Sequence, residues 1–391
     1  MSQDRISAEW LIDQAHRLGF DLVGVASPDP PAGIDRYRVW LEQGYHGAMA
    51  YLARPEAVAA RGDLTRLLPA VGTVVVVGVN YYAGPLPTEL GGDPSRGIIA
   101  RFAWGDDYHD VLVPRLRGLA AWVEAEIGRP VTHRAYADAG PLLERELATR
   151  AGLGFVGKNT NLIHPLLGSW LFLGELLLDV EIPPPRPDRF LRSRPVRSGG
   201  TCGRCTRCLD ACPTGALVAP YVLDARRCLS YLTIELKGPI PADLRPLLGN
   251  RIFGCDVCQE VCPWNRRFAR LTGERGFLPW PDAGNACAPY LLDLMALDDE
   301  GFRQRFRGSP VMRARRKGLL RNAAVALGNR GDPAVMPALT RALGDAEPLI
   351  RGHAAWALGR IGSGEARQAL EQALHSEPDG WVREELRQAL A

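Results

Sequence analysis

At 391 residues the chain is long enough for two or three domains, each with a core of its own. Its composition, 46% hydrophobic and 23% charged, is that of a globular protein, and a formal charge of +3 confines any nucleic-acid affinity to local patches rather than the whole field. Met1-Ser2-Gln3-Asp4-Arg5 offers no basic start leading into an apolar stretch, so no signal peptide is read and a cytoplasmic location is expected. The longest apolar runs, Val71–Val79 and Trp170–Val180, fall short of the roughly 20 residues of a membrane span. Glu175 interrupts the second. Both read as buried strands, and no membrane partner is expected.

Residues 8–19 predict an amphipathic helix, with Trp10, Leu11, Ala15 and Leu18 on one face and Gly19 as its stop. Phe20–Ala26 follows as a strand. Val71–Asn80 is a β-branched run that predicts a central strand covered on both faces. A helix over Asp110–Ile127, a strand over Pro130–Ala137, a helix over Pro141–Ala151 and a strand over Trp170–Val180 complete the pattern. Alternating helices and strands argue for an α/β domain over residues 1–182. Pro183-Pro184-Pro185 then marks a boundary, and Arg186, Arg189, Arg192, Arg194 and Arg197 crowd the loop beyond it.

Nine cysteines are present, and eight lie between Cys202 and Cys262. One dense block in a long chain indicates metal or cluster ligation in a reducing compartment rather than disulfides. Cys287 stands apart and reads as a core residue. Cys202-x2-Cys205-x2-Cys208-x3-Cys212-Pro213 is the bacterial ferredoxin run, whose fourth cysteine serves the other cluster in two-cluster proteins. The second half is altered: Cys228 alone, a 26-residue insertion, then Cys255-x2-Cys258-x3-Cys262-Pro263. By analogy with crossed ferredoxins, one [4Fe–4S] cluster takes Cys202, Cys205, Cys208 and Cys262, and the other takes Cys212, Cys228, Cys255 and Cys258. Paired zinc sites are the competing reading. Zinc favours two separated Cys-x2-Cys pairs per site, whereas this block has the triple-cysteine run and Cys-Pro twice.

A bare ferredoxin needs little more than this block, so the electrons are expected to reach something held by the N-terminal domain. No Gly-x-Gly-x-x-Gly follows a predicted strand, which argues against a dinucleotide fold. Two stretches stand out instead: Tyr136-Ala-Asp138-Ala-Gly-Pro141-Leu-Leu-Glu144-Arg145 and Gly152-Leu-Gly154-Phe-Val-Gly157-Lys158-Asn159-Thr160. By position, Asp138 is either a helix cap or a catalytic acid. The glycines of the second stretch allow a large ligand to approach the backbone, with Lys158 and Asn159 as donors.

The C-terminal part repeats itself. Arg321-Asn-Ala-Ala-Val-Ala-Leu-Gly328 recurs 30 residues on as Arg351-Gly-His-Ala-Ala-Trp-Ala-Leu-Gly359, with a weaker echo from Arg383. Ala/Leu-rich helix pairs at this period predict a short HEAT-like α-solenoid over 286–391, after a two-cluster domain over 183–285. Arg303, Arg305, Arg307, Arg313, Arg315, Arg316, Lys317 and Arg321 form a run with no intervening acid. Such a run is either a solvated face or a phosphate-binding stripe. Arg313, Arg315, Arg316 and Lys317 are the candidates for nucleic-acid contact.

Ile99-Ala-Arg101-Phe-Ala-Trp104-Gly-Asp-Asp-Tyr108-His109, the Asp138 segment, Gly157-Lys158-Asn159-Thr160, the crossed cysteines, Cys228-Leu-Ser-Tyr-Leu-Thr-Ile-Glu235 and the repeats together resemble the epoxyqueuosine reductases, over nearly the whole length. The resemblance implies an α+β protein: a nitroreductase-like cobalamin-binding domain, a ferredoxin-like two-cluster domain and the solenoid. It implies cob(II)alamin fed by two [4Fe–4S] clusters, reduction of the epoxide in the anticodon loop of a tRNA, an external electron donor and a monomer. It makes Asp138 the proton donor, as a buried carboxyl beside the corrin. It assigns Arg61, Arg101, Asp138, Lys158, Asn159, Ser169, Ser230 and Asp256 to cobalamin contact. Ala139 departs from the family, which commonly has Ser or Thr there. An electron-transfer module with a helical docking arm, or a dehalogenase-like reductase of small molecules, are the alternatives.

Overall fold

The structure is a computed structural model and describes residues 6–183, 202–281 and 283–391. Most of the proline boundary, the arginine-crowded loop after it, and Met1–Arg5 lie outside the described residues. Among the described residues no helix is long and apolar enough to cross a membrane.

The N-terminal elements are α1 (Ala8–Arg17), β1 (Leu22–Ala26), β2 (Thr73–Asn80), α2 (Tyr108–Ile127), β3 (His133–Tyr136), α3 (Glu144–Arg150) and β4 (Leu171–Leu178). The four strands form one sheet in the order β1-β2-β4-β3. Every neighbour in it is antiparallel, so the alternation seen in sequence does not carry a parallel sheet. β2 is buried at every position, as a β-branched strand between two covered faces should be. Val75, Val77 and Val79 face the layer of α1 and α2. Val74 and Val76 face Leu147 and Ala148 of α3.

Two helix starts differ from the sequence reading. α2 starts at Tyr108 because the Asp107 carboxylate accepts the His109 N–H at 3.0 Å and caps the helix. α3 starts at Glu144 rather than Pro141, leaving residues 138–143 as a loop off the end of β3.

The C-terminal arm is layered from α4 (Arg315–Arg330), α5 (Pro348–Ile361) and α6 (Gly380–Leu390). A Cβ on Gly328 would sit 2.8 Å from the Ala357 Cα, and one on Gly359 would sit 2.8 Å from the Ala389 Cβ. These glycines let successive helices touch backbone to backbone. α4 and α5 end in left-handed Gly331 and Gly362, each at φ 68°. The caps are 31 residues apart, so the structural repeat is one residue longer than the Arg321–Arg351 spacing, and along the two continuous helices Gly352 takes the place of Arg321.

The insertion between Cys228 and Cys255 does more than flank a site. It is clamped to the arm by buried polar contacts. Arg321, fully buried, donates to the Leu232, Leu236 and Gly238 carbonyls at 2.6–2.7 Å. Asn322 donates to the Thr233 and Ile252 carbonyls, and His353 accepts the Ile240 N–H at 3.1 Å. Arg245 and Glu385 form a two-pronged buried ion pair, both bonds 2.6 Å. The hydrophobic core of the arm also takes in Ile99, Trp104, Ile252 and Phe253. Cys287 is buried in that core, as its isolation in the sequence suggests.

Candidate active site

The loop after β3 turns sharply at Asp138, which takes a left-handed φ of 56°. Aspartate tolerates this conformation better than most residues. The Asp138 N–H donates to the Glu144 Oε1 at 2.9 Å, and the Tyr108 hydroxyl donates to the Asp138 Oδ2 at 2.8 Å. Tyr108 is itself fixed by stacking on Phe172, with ring centroids 4.3 Å apart. Its phenol is raised above its ordinary pKa by burial and by the Asp138 carboxylate, so it stays a donor. Asp138 is exposed on the protein surface; the burial that the resemblance implies is burial against a bound corrin. The turn carries its carboxyl outward while Tyr108 holds it from below.

The mouth around Asp138 is built from both ends of the chain. Tyr51, Arg313 and Asp138 lie within one electrostatic neighbourhood. Arg313 pairs with Glu235, and Lys237 donates to the Arg313 carbonyl at 3.0 Å. His109 is raised above its ordinary pKa by its bond to Asp107 at 2.6 Å. Glu235 and Tyr108 stand in sequence motifs that looked informative only as blocks. The structure gives them separate tasks.

The cysteines assemble in two groups. Cys208 feels the charge of Cys202 and Cys262, and Cys262 that of Cys202 and Cys205. Cys228 neighbours Cys212, and Cys255 and Cys258 neighbour Cys228. Cys258 also feels Cys208, so the groups adjoin. A donor set of eight thiols, four and four, fits two cubane clusters.

The other predicted residues stitch these groups to the sheet. Lys158 donates to the Gly203 and Cys205 carbonyls at 2.7 and 3.0 Å. Buried Asn159 reaches the Cys258 carbonyl at 3.4 Å. The Ser169 hydroxyl donates to Gln259 at 2.8 Å, and its N–H donates to Asn265 at 2.6 Å. Arg101 is committed to the Gly84 carbonyl, Asp256 and Glu260, making it a strut to the Cys255–Cys258 loop. Arg61 differs. It is buried, yet the hydrogen bond it makes is to the Ala57 carbonyl at 3.2 Å, with the Tyr37 ring 5.1 Å away. Ser230 stands half-buried two residues after Cys228.

The basic run separates into parts. Arg321 is internal, as above. Arg316 is held by Asp345 and the Leu297 carbonyl, Lys317 faces Glu347 at 3.6 Å, and Arg303 pairs with Glu300 at 2.7 Å. The run has no acid in sequence but meets several in space. Arg315 is exposed at the start of α4, with a φ of 58°.

A double-cluster block, joined to a sheet domain that presents an acid and to a repeat arm across the same mouth, defines an iron–sulfur oxidoreductase. Three family models match along the chain. Residues 61–139 match that of "Epoxyqueuosine reductase QueG, DUF1730", residues 201–265 a 4Fe-4S double cluster binding domain, and residues 311–391 HEAT repeats. The epoxyqueuosine reductase of Pseudomonas aeruginosa is 42% identical over 91% of this chain and 94% of its own. That of Escherichia coli is 41% identical over 88% and 86%. Among solved structures, an epoxyqueuosine reductase with a tRNA-Tyr epoxyqueuosine-modified stem loop superposes with a TM-score of 0.87 at 33% identity, covering 98% and 97% of the two chains. The Bacillus subtilis enzyme with its catalytic aspartate loop swung out of the active site gives 0.85, at the same identity and coverage. The chain belongs to the epoxyqueuosine reductase family.

Proposed function

We propose that this chain reduces epoxyqueuosine to queuosine at the wobble position of a tRNA anticodon loop, with Asp138 as the proton donor. The observation that carries the reading is the exposed Asp138 carboxyl, held by Tyr108 at a mouth whose other wall is Arg313 and Glu235. A single nucleoside flipped out of a loop can reach an acid so presented. The name and span of the relatives support the chemistry, and the relative solved with a modified stem loop supports the substrate.

Cys202, Cys205, Cys208 and Cys262 bind one [4Fe–4S] cluster, and Cys212, Cys228, Cys255 and Cys258 bind the second, nearer the mouth. Cobalamin fits beside them because Arg61 is a buried guanidinium with most of its five donors unspent, suited to the amides or phosphate of cobalamin. When bound, cobalamin supplies the metal centre through which electrons reach the epoxide. Lys158, Asn159, Ser169 and Ser230 border its site. Arg101 and Asp256 fix the loop between it and the second cluster. The protein works as a cytoplasmic monomer, with reduction supplied by an external electron donor. The division into 1–182, 183–285 and 286–391 remains a functional one, since the core joins the parts.

The test is incubation of the pure protein with epoxyqueuosine-tRNA, cobalamin and a chemical reductant, followed by nucleoside analysis. Queuosine is the expected product, and its absence with both clusters loaded rejects the reading. On the arm, Arg315 is the cation best placed for phosphate. Arg315→Glu is expected to weaken tRNA binding about tenfold and to lower the salt slope by about one, with cluster content unchanged. Equal affinity in filter binding removes Arg315 from the interface.

A further inference from the structure

Glu175 is the most anomalous side chain among the described residues. It is fully buried in the central part of β4, and neither carboxyl oxygen has a hydrogen-bond partner. A buried polar group without a partner is costly, and a leucine would fit the run Leu171–Leu178 around it. The register places Glu175 beside Val76 on one side and Tyr136 on the other, two residues before Asp138. On this face of the sheet lie Leu142, Leu147 and Ala148, the chain that carries Glu144. Asp138, Glu144 and Glu175 are thus three carboxyls in one neighbourhood, and the middle one already binds the Asp138 backbone at 2.9 Å.

The proposed reaction explains what such a group could do. Converting the epoxide to an alkene breaks both C–O bonds, forms one C=C bond and releases the oxygen as water. It consumes two electrons, which the external donor supplies through the clusters, and two protons. Asp138 holds one proton at a time. A second must arrive before the oxygen can leave as water.

We propose that Glu144 and Glu175 are a proton store behind Asp138, returning a proton to it within each turnover while Glu144 also positions its turn. The inference rests on Asp138 being the acid. The charges facing the store agree with it. Glu144 faces Asp138, Glu175, Tyr108, Arg145 and Arg61, and burial together with the Asp138 carboxylate pushes it up to about 8. Glu175 faces Glu144 and Asp138, and burial and those two charges raise it well above the carboxylate range. Both therefore hold protons at neutral pH, and Glu144 loses its proton as the pH rises through about 8.

The test uses the full-length holoenzyme with loaded clusters, cobalamin and epoxyqueuosine-tRNA. Glu144→Gln keeps an oxygen for the Asp138 N–H but cannot pass a proton. It is expected to lower kcat about 10²-fold, leave KM for tRNA unchanged, and remove the alkaline limb that wild type shows near pH 8. Glu175→Leu is expected to raise Tm by about 2–4 °C and yet slow turnover. If Glu175→Leu does not fold, Glu175→Gln takes its place in the kinetic comparison. Wild-type kcat and pH profile in Glu144→Gln, or a Glu175 variant with an undiminished rate, overturn the proposal. A parallel Asp138→Asn arm separates the two readings: full activity there removes the acid itself, whereas full activity only in the Glu144 and Glu175 variants removes the store.

Discussion

Asp138→Asn lowers the single-turnover rate of queuosine formation by about 10²–10⁴-fold, the range of a positioned general acid, with iron content and the cobalamin spectrum unchanged. Asparagine is the informative choice. It accepts the left-handed backbone at φ 56° nearly as readily as aspartate, and its side-chain oxygen still accepts from Tyr108. The change therefore removes the proton and little else. Alanine adds backbone strain to the loss and blurs the result. Nucleoside analysis of quenched reactions measures the effect. A variant that turns over within a few-fold of wild type sinks Asp138 as the acid.

Glu385→Ala is expected to cost about 3–5 kcal/mol, the price of leaving one member of a buried pair uncompensated. Arg245 is nearly inaccessible and directs both terminal nitrogens at Glu385. Without that partner its charge stays in a dry interface between the insertion and α6. Thermal or denaturant unfolding reads the loss. Arg245→Met combined with Glu385→Leu recovers most of it, because apolar replacements remove the desolvation penalty along with the attraction. A single variant as stable as wild type shows the pair to be solvated in solution.

The cluster block was legible because its chemistry depends on spacing along the chain. Cys-x2-Cys-x2-Cys-x3-Cys-Pro constrains a loop directly, and residues 201–265 match a 4Fe-4S double cluster binding domain. β2 and the repeat helices were legible for a related reason: hydrophobic period and small-residue pattern are local properties. The mouth was less so. Tyr108 meets Asp138 across 30 residues, and Arg313 meets Glu235 across 78. Distance in sequence hides such pairs. The partners of the basic run were hidden in the same way, since Glu235, Asp345 and Glu347 approach from elsewhere in the fold. Asp138 followed from resemblance rather than position. Glu175 was visible as a charge in an apolar run, and its significance needed the sheet.

The clamp between the insertion and the arm makes the C-terminal repeats inseparable from the redox half of the molecule. A HEAT-like array is ordinarily modular, gaining or losing units at its ends. Here α4 supplies the donors that satisfy the Leu232, Thr233, Leu236 and Gly238 carbonyls, in the segment strung between Cys228 and Cys255. A chain cut before Arg315 leaves those carbonyls unsatisfied and unseats two thiols of the second group. Truncation is thus expected to lower iron content as well as tRNA affinity. The arm is a retaining wall for the wire, and shortening it is a redox mutation.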